Sequence, residues 1–179
     1  MRRKLILLAL LSPAVLLAAA GGPDSSGVVF TDSDEVDGPP HGVLDLSGGT
    51  ELSLTDDGTE TVSLPFEFRW YGTDYDEVTV SNNGTIFFAG AQSSPLSDCA
   101  GDSGTWSGLA AFADDLGEGS VTWQTFGRYP HRVFAVEWLN PHATVGGEGR
   151  IQAWLLEGEG RRLEAAVVLD DITFGDSSV

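Results

Sequence analysis

Cysteine is nearly missing from this chain. Cys99 is alone among 179 residues, so no intrachain disulfide can form. It sits in a polar stretch, Ser97-Asp98-Cys99-Ala100-Gly101-Asp102. Two neighbouring aspartates oppose the electropositive setting that a reactive thiolate needs, so Cys99 reads as an incidental thiol. Lysine stops at Lys4, and the basic residues beyond it are six arginines: Arg69, Arg128, Arg132, Arg150, Arg161 and Arg162. His41, His131 and His142 show neither HxH nor HExxH spacing, and no Gly-x-Ser-x-Gly elbow occurs. Zinc-hydrolase and serine-hydrolase chemistry therefore lack their usual residues. Beyond the N-terminus no long apolar run follows and no segment keeps a 3.6-residue period, which argues against a membrane span and against helices.

The N-terminus itself reads as an export signal. Arg2, Arg3 and Lys4 precede the apolar run Leu5 to Ala20, which ends in Ala18-Ala19-Ala20 and is followed by Gly21-Gly22-Pro23. A basic start, an apolar middle and a small-residue end are the parts of a cleaved signal peptide. Cleavage after Ala20 would leave 179 − 20 = 159 residues. No cysteine directly follows the run to take a lipid anchor. All 27 acidic residues lie beyond it with six arginines, so the net charge there is 6 − 27 = −21. Such a chain repels phosphate backbones and anionic lipid, so nucleic acid and membrane insertion after cleavage are poor expectations. The charge suits solubility outside the cell.

Residues 21–41 are rich in Gly, Ser, Asp and Pro and read as a flexible acidic leader; residues 42–179 read as one domain. Two short alternating runs open it, Gly42 to Leu46 and Glu51 to Leu54, with a turn at Asp56-Asp57-Gly58. Strands are expected at Val62–Phe68, Glu77–Ser81, Thr85–Phe88, Leu109–Ala113, Ser120–Phe126, Arg132–Leu139, Arg150–Glu157 and Arg161–Leu169. Asn83-Gly84 carries the residue pair of a type I′ hairpin turn. Gly-rich turns separate these runs, and a long loop covers residues 90–108. The expected class is all-β, an antiparallel β-sandwich of about nine or ten short strands. Alternation also assigns faces. Phe134, Val136 and Trp138 face the core with Glu137 outward, while the Arg150–Glu157 run is apolar on both sides and expects cover on both.

Candidate chemistry is sparse. The run Asp32-Ser33-Asp34-Glu35-Val36-Asp37-Gly38 fails the calcium-loop pattern, with Val36 at loop position five, Asp37 at six and Val43 at twelve. Asp114 and Asp115, at the end of the apolar run from Leu109, are the weak metal candidates, and calcium is the cofactor they would suit. The same carboxylates can instead accept backbone N–H groups in a turn. No pair among the acids is singled out for glycoside hydrolysis. Trp123, Trp138 and Trp154 fall inside strands and read as core, whereas Trp70 and Trp106 lie at a corner and in the long loop, where ligand contact is an option.

The stretch Leu64 to Phe88, LPFEFRWYGTDYDEVTVSNNGTIFF, resembles the nidogen-type (NIDO-like) extracellular β-domains of secreted bacterial proteins. The likeness is carried by Leu64, Pro65, Phe66, Phe68, Tyr71, Gly72, Tyr75, Asn83, Gly84 and Phe88. It extends to Thr55-Asp56-Asp57-Gly58, to LAAFADDL at Leu109–Leu116, and to the later hairpin Ser120–Gln124 with Arg132–Trp138. Ala113 stands where a tryptophan is common in the family, and the chain stops before a final strand that the resemblance leads one to expect. The resemblance implies adhesion or matrix and surface interaction, with no catalysis. It makes the chain a secreted, non-enzymatic binding module for an extracellular protein or glycan, needing no cofactor unless calcium. A secreted carbohydrate-binding or glycan-hydrolysing domain, and a structural surface or matrix component, are the alternatives.

Overall fold

The computed structural model describes residues 21–89, 107–140, 145–158 and 164–174. The chain divides into two compact units, Met1–His41 and Gly42–Val179. In the first, Gly21 and Phe30 exchange both backbone hydrogen bonds, at 3.1 and 2.9 Å. Asp24 Oδ1 closes the intervening turn by accepting the N–H groups of Ser26 and Val28.

The second unit is all-β, with no helix among the described residues. Its strands are β1 (Thr50–Glu51), β2 (Thr59–Trp70), β3 (Thr73–Ser81), β4 (Thr85–Phe87), β5 (Gly108–Ala110), β6 (Ser120–Phe126), β7 (Val133–Leu139), β8 (Arg150–Leu156) and β9 (Ala165–Asp170). They form a five-stranded sheet, β1-β6-β7-β8-β9, and a four-stranded sheet, β2-β3-β4-β5. Every pairing is antiparallel. The sheets pack face to face as an open sandwich, and β6 spans the residues its alternation predicts.

Period-2 patterning builds the core between them. Val62, Phe66, Phe68, Val78, Val80, Ile86 and Phe88 come from the four-stranded side, and Val121, Phe134, Val136, Trp138, Ile151, Ala153 and Leu155 from the other. Each large side chain removed from water stabilises by roughly 1.5–3 kcal/mol. Trp138 adds a directional tie, since its Nε1–H donates to the Ser81 carbonyl across the sandwich at 2.8 Å. Pro65 explains a break in β2. The ladder runs regularly to Ser63–Glu77 and resumes at Phe68–Tyr75, so Leu64–Glu67 face Asp76 alone. Proline cannot donate to a ladder, and this bulge lies on the edge strand that tolerates it.

Three local expectations are corrected. Gly42 to Leu46 is not a strand, and of the Glu51 to Leu54 run only Glu51 is in one, in β1. The alternating apolar residues there serve burial instead, with Leu46 and Leu52 at 3% and 6% exposure. Asn83-Gly84 is not a type I′ pair. Val80 pairs with Ile86, which leaves the three-residue loop Asn82-Asn83-Gly84, and only Gly84 there has positive φ, at 74°. That is the three-residue hairpin with a glycine in the left-handed region. Gly84 has a second constraint, because a Cβ there would lie 2.3 Å from the Phe112 carbonyl oxygen. The primed turn occurs one hairpin earlier, where Tyr71 and Gly72 have φ of 47° and 84° between paired Trp70 and Thr73.

Candidate functional site

The loops at one end of the sandwich meet around Asn83, which is 1% exposed. Its Nδ2 donates to Asp57 Oδ1 at 2.8 Å, and its Oδ1 accepts the Leu116 N–H at 3.0 Å. Asn82 and Asn140 extend this lattice. Asn82 Nδ2 donates to the Leu116 carbonyl, and Asn140 Nδ2 donates to Asn82 Oδ1 and the Gly117 carbonyl. Buried amides of this kind tie the segments carrying Asp57, Asn83, Leu116 and Asn140 to one another because each would be costly unpaired.

On the outside of this lattice Asp56, Asp57 and Asp115 bring one carboxylate oxygen each within 4.8 Å of one another. Asp56 and Asp57 are exposed and Asp115 half-buried. The expected metal pair was Asp114 with Asp115. Asp114 is outside the gathered group, and its Oδ1 accepts the Asp115 N–H at 2.8 Å, as in a turn. Asp56 and Asp57, which sequence reasoning read only as turn residues, are the acids that join Asp115. Only the DDG turn's place beside the family-like segment pointed that way.

A second polar centre lies on the outer face of the five-stranded sheet. Thr122, Glu137, Gln152 and Val168 stand in one cross-strand row of β6 to β9. Glu137 points outward as its alternation predicts, yet it is only 7% exposed. The segment ahead of β1 covers this row. Leu44 is held there by its backbone: its N–H donates to Gln152 Oε1 at 3.0 Å, and its carbonyl accepts Gln152 Nε2 at 2.8 Å. Gln152 Nε2 also donates to Glu137 Oε2 at 2.6 Å, and Trp154 Nε1 donates to Gln152 Oε1. Arg150 Nε stands 3.4 Å from the same Glu137 oxygen. Beside this network is a cavity of about 420 Å³ lined by residues that include Asp45, Glu51, Glu137 and Arg150. Asp45 is held below the usual carboxylate range, chiefly by hydrogen bonds from the Ser47 hydroxyl and N–H, with Arg150 adding a smaller pull.

The remaining expected positions divide clearly. Phe66, Phe68 and Phe88 are core, with Leu64 and Tyr75 packed at its margin, and Pro65 sits in the β2 bulge. Trp70 is half-buried, with Phe88 at 5.2 Å and Tyr71 at 5.2 Å between ring centroids. Tyr71, at 53% exposure, is the more accessible ring of that hairpin. Trp106 and Cys99 lie outside the described residues. Of the strand tryptophans, Trp138 is fully buried and Trp123 stacks on Phe134, whereas Trp154 is on the outer face with Gln152.

Residues 42–162 match the family model described as NIDO related, 121 of 179 positions. The chain belongs to the NIDO-related family. The match begins at the first residue of the sandwich unit and takes in β1 to β8, with both polar centres. No curated protein and no solved structure matches the chain. Among the described residues no helix is long and apolar enough to cross a membrane.

Proposed function

We propose that this NIDO-related domain is an exported, non-enzymatic binding module that works outside the cell, on an extracellular protein or glycan. The match of residues 42–162 to the family is the observation that carries the reading. The signal-like N-terminus and the formal charge of −21 beyond it, 6 − 27, support an extracellular setting. The packing supports presentation rather than chemistry: signature residues such as Phe66, Phe68 and Phe88 go into the core and leave the loops to vary.

Two measurements test the reading. Protein recovered from the medium of the expressing cell should begin at Gly21, and a chain retained in the cytoplasm with Met1 intact would end the export claim. The purified domain should then bind saturably to members of a panel of immobilised extracellular-matrix proteins and glycans. Turnover of any glycan on that panel would replace the reading with a hydrolase. The carbohydrate alternative draws on the exposed Tyr71 ring beside Trp70. Glycan binding that disappears in Trp70→Ala or Trp106→Ala would favour it over a protein partner.

A further inference from the structure

We infer that the edge of β9 away from β8 is an interface between two copies of this chain, which pair the strand antiparallel to itself about a two-fold axis. Burial is inverted along this strand. Residues directly opposite on antiparallel neighbours share a face. Val167 and Leu169 stand opposite Ala153 and Ile151, which are core residues at 0% exposure. Yet Val167 and Leu169 are 41% and 48% exposed, whereas Val168, on the outer face, is 8% exposed. The inward side of β9 is thus apolar and uncovered. It is the fifth strand of its sheet, and the facing sheet has four.

The other three sheet edges are protected. β1 has two residues and β5 three, too short to template a partner. β2 is long, but the bulge at Pro65 breaks it, and it carries exposed Glu60, Glu67 and Arg69. β9 has six residues in unbroken register, no proline, and only Ala165, Val167 and Leu169 at its inward positions. The Leu156 N–H donates to the Glu164 carbonyl at 2.9 Å, which sets the alternation along the pair. Ala165 and Val167 therefore turn their N–H and C=O groups away from β8.

A second copy is the partner these features fit. Centred on Ala166, an antiparallel pair sets Ala165 of each chain against Val167 of the other. The backbone groups turned outward then bond each other, and the apolar side chains meet on the inward face. The order of charges suits the same pairing. Arg161 and Arg162 precede the strand in the sequence, and Asp170 and Asp171 end it. Antiparallel copies bring those unlike ends together, where parallel copies would oppose like ones. The net charge of each copy, 6 − 27 = −21, opposes the approach, but it is screened beyond about 8 Å at physiological salt. An edge of six residues is small beside the roughly 1,200–2,000 Å² of stable complexes, so the dimer is weak and concentration-dependent.

The full mature chain at physiological salt provides the test. Sedimentation velocity should show a monomer–dimer equilibrium as concentration rises, and the Ala165 and Val167 amides should become protected from hydrogen exchange over the same range. Val167→Lys places a charge on the inward side of the edge, at an exposed position that does not threaten folding. It should weaken association about tenfold, which corresponds to about 1.4 kcal/mol. A thiol reports the register. The two-fold axis sets Ala166 of each copy opposite the other as a non-hydrogen-bonded pair, with Cα atoms about 4.5 Å apart and within disulfide reach. In a Cys99→Ser background, Ala166→Cys should therefore form a disulfide-linked dimer, and Ala110→Cys on the β5 edge should not. A chain that stays monomeric, an association that Val167→Lys leaves unchanged, or equal cross-linking at the two edges would overturn the proposal. So would protection of the Ala165 and Val167 amides in the dilute monomer, which gives the edge to the chain's own residues. Protection that needs a member of the matrix panel gives it to a foreign strand and overturns the proposal as well. Each of these failures leaves the binding reading standing, since the panel tests that separately.

Discussion

The domain gathers acidic side chains in two places and treats them in opposite ways. At the loop end Asp56, Asp57 and Asp115 stand close together at the surface, with the buried amides beneath them doing the structural pairing. On the sheet face a single acid, Glu137, is buried and the network is built around its charge. Water screens the first group, so its repulsion costs little. The second has water largely removed, so each partner counts for more. The two regions together show that acid content alone says nothing of a site. The position of the carboxylate relative to the covering chain does.

The sharpest way to break that contrast is Gln152→Leu. It removes the two bonds to Leu44, the bond from Trp154 and the bond to Glu137, and unfolding in urea should show a loss of about 3 kcal/mol. A loss below about 1 kcal/mol would mean that the buried centre is no more demanding than the surface one. Next in size is Asn83→Ala at the loop end, which strips the Leu116 N–H of its acceptor and Asp57 of its donor. About 2 kcal/mol is expected by the same measurement. Asp115→Asn, one position before the Leu116 that Asn83 holds, should change stability by no more than about 0.5 kcal/mol. Its sign should be stabilising at low salt, since it relieves repulsion from Asp56 and Asp57, and the gain should fade as salt is raised. The smallest expected effect is that of calcium. Calcium favours six to eight oxygen ligands, and three carboxylates, one already bonded to Asn83, offer few. Millimolar calcium should therefore move the melting temperature by about 1 °C or less, a size set by the stability gained from so weak a site. A larger rise that Asp115→Asn removes would make the loop end a metal site after all.

Much of this architecture is legible from period and turn chemistry. Phe134, Val136 and Trp138 alternate into the core, and the Ser120–Phe126 run becomes β6 unchanged. What escapes is whatever depends on residues far apart in the chain. Gly42 to Leu46 alternates like a strand, but its backbone at Leu44 is met by a side chain 108 residues later rather than by a neighbouring ladder. Glu137 has the outward direction its pattern predicts, and its burial comes from that same distant segment. The turn after β3 keeps its Asn-Gly pair yet adds Asn82 to the loop, because register is set by the sheet and not by the dipeptide. Asp115 finds Asp56 and Asp57 through the amide lattice, which no local spacing encodes.

The Leu44–Gln152 clasp has a mechanical meaning. Tension on the chain ahead of Gly42 reaches the sandwich near Leu44, where one glutamine offers two hydrogen bonds, well before it can shear the seven-residue pairing of β6 with β7. A load of that kind would peel the covering segment first and leave both sheets standing. The same event would open the Glu137 face to solvent, so a pull on the leader would be felt as hydration of a carboxylate.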